Sequence, residues 1–235
     1  MYNLLNLLDI VRHCTLKIPR RKACRFESGP GHQSPASLMP PIPPVTKTLM
    51  LICTAVFCVQ FFVPLDNWFA LWPVGSGMFW PWQVVSYAFL HGNVLHLFFN
   101  MLGLWMFGAE LERLWGDRRY LEFLLAGALA GAAAQLLMSS VTGSNVPTIG
   151  ASGALFALLL AFGMLFPNRI IMPLFPPIPM KARTFVIVFG ALELLLGLSG
   201  ASGIAHFAHL GGMVGGYLMI RYWRGQPPFG SRRRR

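Results

Sequence analysis

The chain has 235 residues, of which 55% are hydrophobic and only 11% charged, against about 25% charged in a typical water-soluble domain. That balance excludes a soluble enzyme, a disordered chain and a disulfide-stapled scaffold, and four scattered cysteines (Cys14, Cys24, Cys53, Cys58) form neither a framework nor a zinc site. A formal net charge of +11 would suit nucleic acid, but the charges follow a membrane rule instead.

In chain order, residues 1–46 form a basic leader containing Pro and Ser, with no long apolar core and no periodicity that would build a packed element. Met39 is a candidate start of the working protein, which N-terminal sequencing of native material tests. A transmembrane helix needs about 20 mostly apolar residues, and six segments qualify: about 48–64, 87–110, 120–141, 150–166, 184–198 and 203–222. Between the first two lies a long loop, about 65–85, whose only charge is Asp66 and which holds Trp68, Trp72, Phe79, Trp80 and Trp82. Indole rings favour the membrane–water boundary, so this loop is expected to lie in the outer interface and to be partly helical. The expected division is a leader at 1–46, a six-helix body at 47–224 and a basic tail at 225–235.

With six spans, the termini share one side of the membrane with the second and fourth loops. All 19 Lys and Arg fall on that side: the leader and Lys47, then Arg113, Arg118 and Arg119, then Arg169, Lys181 and Arg183, then Arg221, Arg224 and Arg232 to Arg235. Cytoplasmic loops gather Lys and Arg, which predicts that both termini are cytoplasmic. The terminal arginine run is read as a topology anchor, without nucleic acid as a partner.

Polar groups inside a membrane are costly and point to function. The second span carries His91, Asn93, His96 and Asn100, with His96 and Asn100 on one helical face. The fourth opens with Gly150-Ala151-Ser152-Gly153, a pattern that ordinary helix packing also uses. Ser152, however, sits at a helix start, where free N–H groups can stabilise an anion. The sixth reads AHFAHLGGMVGG, with overlapping GxxxG patterns at Gly211/Gly215 and Gly212/Gly216 that permit close backbone approach one turn after His209. Spans two, four and six run in the same direction, so His96, Ser152 and His209 fall at one level in the outer half of the bilayer. A neutral imidazole there can take a serine proton and later protonate a leaving amine, with His96, Asn100 and the Ser152 N–H as oxyanion donors. The only acids away from the basic side are Asp66 and Glu193, and Glu193, mid-span in the fifth helix, is expected to be neutral or hydrogen-bonded in a structural role. The simplest design is a Ser–His dyad whose histidine is held by packing, needing no metal or cofactor.

The block PWQVVSYAFLHGNVLHLFFN, the GASGA motif and AHLGGMVGG, in that order, resemble the rhomboid intramembrane serine proteases of the six-span bacterial type. The resemblance covers about 80–216, and 47–224 suits the architecture. It implies an all-α polytopic membrane protein, a six-transmembrane-helix rhomboid-like bundle with a long interfacial first outer loop. It also implies Ser152 as nucleophile, His209 as general base, His96 and Asn100 as oxyanion donors, and Gly150, Gly153, Gly212 and Gly216 as motif glycines. His206 fits the base position worse, because His209 stands where the pattern wants glycine. Glu112-Arg113 resembles the Glu-Arg pair ending the family's second span, whereas Trp82 is followed by Gln83 where some members have Arg. The implied activity is serine endopeptidase cleavage within or beside a transmembrane segment of a membrane-anchored substrate, in a bacterial inner membrane. The rivals are a non-proteolytic rhomboid-like client binder and a small transporter; the transporter is disfavoured because no internal repeat is visible and the polar cluster lies toward one face.

Overall fold

A computed structural model describes residues 41–174, 177–199 and 205–227. The expected leader (apart from its last residues) and the arginine run at 232–235 lie outside them. The chain divides between Pro41 and Ile42, and every described helix belongs to the part from Ile42 onward.

Helix α1 (Pro44–Gln60) opens on two prolines, whose fixed φ suits a first helical turn. Its free N–H groups are met from elsewhere in the chain. The Glu112 carboxylate accepts from the backbone N–H of Val45 (2.8 Å) and Thr46 (2.7 Å) and from the Thr46 hydroxyl (2.6 Å). An anion at a helix N-terminus satisfies both the orphan donors and the helix dipole.

The aromatic loop contains α2 (Asp66–Phe69), a single 3-10 turn and α3 (Gln83–Ser86), so it is partly helical as expected. Trp80 and Trp82 stack at 5.0 Å and both are exposed. Buried Gln83 holds the loop to itself. Its side-chain oxygen accepts from the N–H of Trp72 and Trp80, and its amide donates to the carbonyls of Trp68 and Met78.

Helix α4 (Val94–Trp115) is interrupted by a π-helical turn at Leu104–Gly108. It starts later than the apolar pattern predicts, because Asn93 is its N-cap and accepts from His96 N–H at 2.8 Å. Residues 87–93 therefore form a 3-10 turn and loop, not the top of the span. Gly116, at φ +78°, turns the chain sharply into α5 (Asp117–Thr142), and Gly143 ends that helix in the left-handed conformation. Helix α6 (Ser152–Leu165) follows, then a short antiparallel pair not expected from sequence, β1 (Ile170–Ile171) and β2 (Met180–Lys181), with Ile170 opposite Lys181. Helices α7 (Ala182–Ser199) and α8 (His206–Trp223) complete the described residues.

The protein is mainly helical, and α4, α5 and α7 are long and apolar enough to cross a membrane. Helices α1 and α6 are apolar but shorter, at 17 and 14 residues. Fourteen residues rise about 21 Å, less than the roughly 30 Å of a hydrocarbon core.

Helix α8 is the wedge of the bundle, and its two GxxxG patterns face two different neighbours. A Cβ at Gly211 or Gly215 would strike the α5 backbone at Ala130 or Ala126. One at Gly212 would overlap the Gly153 carbonyl of α6, and one at Gly216 would press on Ala157 at 3.0 Å. Two helices thus touch α8 nearly backbone to backbone, on adjoining faces.

Candidate active site

Three constraints position the start of α6. Leu71 in the aromatic loop exchanges both backbone hydrogen bonds with Thr148 (2.9 and 3.0 Å), and Gly150 N–H donates to the Tyr87 carbonyl at 2.9 Å. Gly150 then turns with φ +119°, a value side chains rarely adopt, directly beneath the polar face of α4. A Cβ there would meet the His96 ring at 2.7 Å and Asn100 Nδ2 at 3.5 Å, so glycine is required by both conformation and space.

Ser152 is the first residue of α6, and no side chain caps that helix. Its hydroxyl lies 2.7 Å from His209 Nε2. The contact follows from the glycine seam, since the Gly212–Gly153 approach lies one turn below it. Phe156, one turn below Ser152, stacks on the His209 ring at 4.3 Å and 7° and fixes its plane. A serine hydroxyl hydrogen-bonded to a neutral imidazole nitrogen can lose its proton as it attacks a carbonyl.

On α4, Asn100 is buried, and its Nδ2 has no hydrogen-bond partner among the described residues. A buried amide donor left free beside Gly150 is suited to an acceptor that arrives with a ligand. His96 Nδ1 takes a long contact from Gly92 N–H (3.4 Å), which leaves the ring proton to Nε2, on the Gly150 side.

The sequence motifs converge here. Both site histidines, Ser152 and Asn100 come within one small region, as do Gly150 and Gly153, while Gly212 and Gly216 form the seam below. Two other singled-out residues have different placements. Asn93 caps α4, and His91 is buried against α1, donating its backbone N–H to Gln60 Oε1 at 3.0 Å and meeting the His96 ring edge-on.

A family model described as the Rhomboid domain matches residues 79–225, more than half of the chain. The chain belongs to the rhomboid family. Among curated relatives, the Rhomboid protease GlpG of Yersinia pestis (strain Pestoides F) is 30% identical over 186 residues, which is 77% of this rhomboid and 62% of that protein. The one from Yersinia enterocolitica serotype O:8 / biotype 1B is 29% identical over 220 residues, 87% of this rhomboid and 74% of its own length. This rhomboid therefore spans less than two thirds of the length of the first of these relatives.

The His209 ring also has a partner on a neighbouring helix. His209 is not held by packing alone: its Nδ1 lies 2.8 Å from Glu193 Oε2 on α7, and the same oxygen lies 2.6 Å from His206 Nδ1. From sequence, Glu193 is expected mid-span as a neutral or hydrogen-bonded group in a structural role, with no partner named. The missing signal was helical phase, because only the docked α7 and α8 bring residues 13 and 16 positions apart together. Glu193, His206 and His209 are also a group whose ligand atoms lie within 4.8 Å of one another. Their N–O separations are those of hydrogen bonds, shorter than the about 3.3 Å that separates two ligands on one tetrahedral zinc.

Proposed function

We propose that this rhomboid is an intramembrane serine endopeptidase, with Ser152 as nucleophile and His209 as general base. The observation that carries the proposal is the 2.7 Å contact between Ser152 Oγ and His209 Nε2 at the start of a buried helix. Ser152 attacks a peptide carbonyl as its proton passes to Nε2. Negative charge then develops on the carbonyl oxygen, and the Asn100 amide, His96 Nε2–H and the Ser152 N–H converge to receive it. His209 returns the proton to the leaving amine, and water entering from the outer side hydrolyses the acyl-enzyme by the reverse transfer.

Substrates are membrane-anchored proteins cut within or beside a transmembrane segment. A helical amide is shielded by its own turn, so Gly or Pro near the cut favours cleavage by loosening that turn. Approach is lateral, between α4 and α7. The body is held at 47–224 with six spans and both termini cytoplasmic, in a bacterial inner membrane, with the lipid bilayer as its solvent. All basic residues among the described loops lie on one side of that arrangement.

The test is cleavage of a transmembrane reporter in proteoliposomes. Ser152→Ala and His209→Ala each abolish turnover, by about 10⁴-fold or more, while thermal unfolding in detergent stays near wild type. His206→Ala retains measurable turnover. Loss of activity in His206→Ala with retention in His209→Ala would reverse the assignment of the base.

A further inference from the structure

The described part of α7 is apolar from Phe185 to Leu198 except for Glu193, and a carboxylate in such a helix is costly unless something receives it. Glu193 meets two imidazoles and lies mostly buried. Its position relative to His209 is specific, because Oε2 faces Nδ1 while the opposite ring nitrogen, Nε2, faces Ser152. A tether between helices has no need of that geometry. Elsewhere α7 meets α8 through neutral contacts, Gly190 against Met213 and Gly197 against Phe207.

We propose that Glu193 is a positioning carboxylate for the reaction of Ser152 and His209, making the site a Ser–His–Glu relay and not a bare dyad; this rests on the protease reading above. A carboxylate accepting from Nδ1–H fixes the tautomer in which Nε2 carries a lone pair toward the serine. As the proton moves from Ser152 Oγ to Nε2, the ring becomes an imidazolium and the adjacent carboxylate stabilises it. The carboxylate itself stays ionised and takes no proton. His206 donates to the same oxygen from the preceding turn of α8 and holds that oxygen in place from its other side. The groups that face one another in this relay are Glu193 from α7 and His206 and His209 from α8.

Helical phase supports the arrangement. His206 and His209 are three residues apart and share a face of α8, with their rings 6.3 Å apart and nearly perpendicular. One carboxylate oxygen between them therefore reaches both Nδ1 atoms without distorting either ring. Phe156 closes the remaining face of His209.

The experiment is steady-state cleavage of a transmembrane reporter by the full chain in proteoliposomes, comparing wild type with Glu193→Gln, Glu193→Asp and Ser152→Ala. Gln keeps the size and a hydrogen-bonding oxygen but removes the charge. The expected result is a kcat reduced by about 10²- to 10⁴-fold in Glu193→Gln, with KM within about twofold and unfolding temperature near wild type. Glu193→Asp falls between the two. A Glu193→Gln kcat within about threefold of wild type overturns the proposal, as does a change confined to KM. Should the Gln variant not fold, the Asp variant decides. It keeps the charge but withdraws it by one methylene, so a kcat lowered about tenfold or more supports the relay and a wild-type kcat overturns it. The Ser152→Ala arm separates the two readings, because wild-type cleavage that survives this change refutes the protease assignment itself.

Discussion

Helices α6 and α7 are both apolar, yet they are held in opposite ways. Most of α6 is buried, from Gly153 through Gly163, between α5, α8, α4 and the first turns of α7. Of α7 only Ala182, Phe185 and Val186 are buried, all in its first turns, and Leu194, Leu195, Leu196 and Leu198 are exposed. Hydropathy does not separate the two helices, since lipid accepts leucine as readily as a protein interior does. What separates them is the density of small residues. Glycine and alanine let α5, α6 and α8 approach to backbone contact, whereas the leucine-rich half of α7 faces outward. Ser152 and the His209 imidazole thus stand on the tightly packed part, and the Glu193 carboxylate that meets the imidazole is supplied by the loosely packed one. Geometry that must hold to a few tenths of an ångström is placed where backbone contact enforces it.

Substitutions on the two regions should therefore differ in kind as well as size. Outside Ser152, His209 and Glu193, the largest effect is expected at Asn100, held against the core on α4. Asn100→Ala removes a free buried donor, and kcat should fall by about 10²–10³-fold, roughly 3–4 kcal/mol, with little change in unfolding temperature. Equal loss of kcat and stability would mean that its amide is structural. Next comes the seam. Gly212→Ala puts a methyl group into the Gly153 carbonyl, and overpacking of this kind costs about 1–3 kcal/mol. Thermal unfolding in detergent should show that loss, together with slower labelling of Ser152, because the Ser152–His209 contact depends on the same approach. Smallest is Leu195→Ala on the outer face of α7, where stability should move by less than about 0.5 kcal/mol. A large loss there would show that α7 is packed against something beyond the described residues.

The helices and the gathering of polar residues around Ser152 were largely legible in sequence, for different reasons. Spans follow from runs of apolar residues, and GASG and AHLGGMVGG carry their own chemistry in small residues beside a hydroxyl and an imidazole. Boundaries were less legible where a polar residue played a local role. Asn93 lies inside an apolar stretch yet caps α4, moving its start to Val94. Glu112 is adjacent to Arg113 in sequence, but its carboxylate satisfies the N-terminus of α1, some 66 residues earlier. Gln83 stands where some rhomboids carry Arg, and its four hydrogen bonds tie the aromatic loop together without a charge. Glu193 was illegible because its meaning lies in the relative rotation of two helices. Periodicity gives each helix its own faces and says nothing about which face of another helix they meet.

The central claim is that Ser152 is nucleophilic because His209 takes its proton inside the bundle. A serine-directed fluorophosphonate applied to the membrane-embedded protein, followed by peptide mass spectrometry, tests it most directly. The account predicts a covalent adduct on Ser152 in wild type and none in His209→Ala. An unmodified Ser152 in wild type, or equal labelling with and without His209, would contradict it.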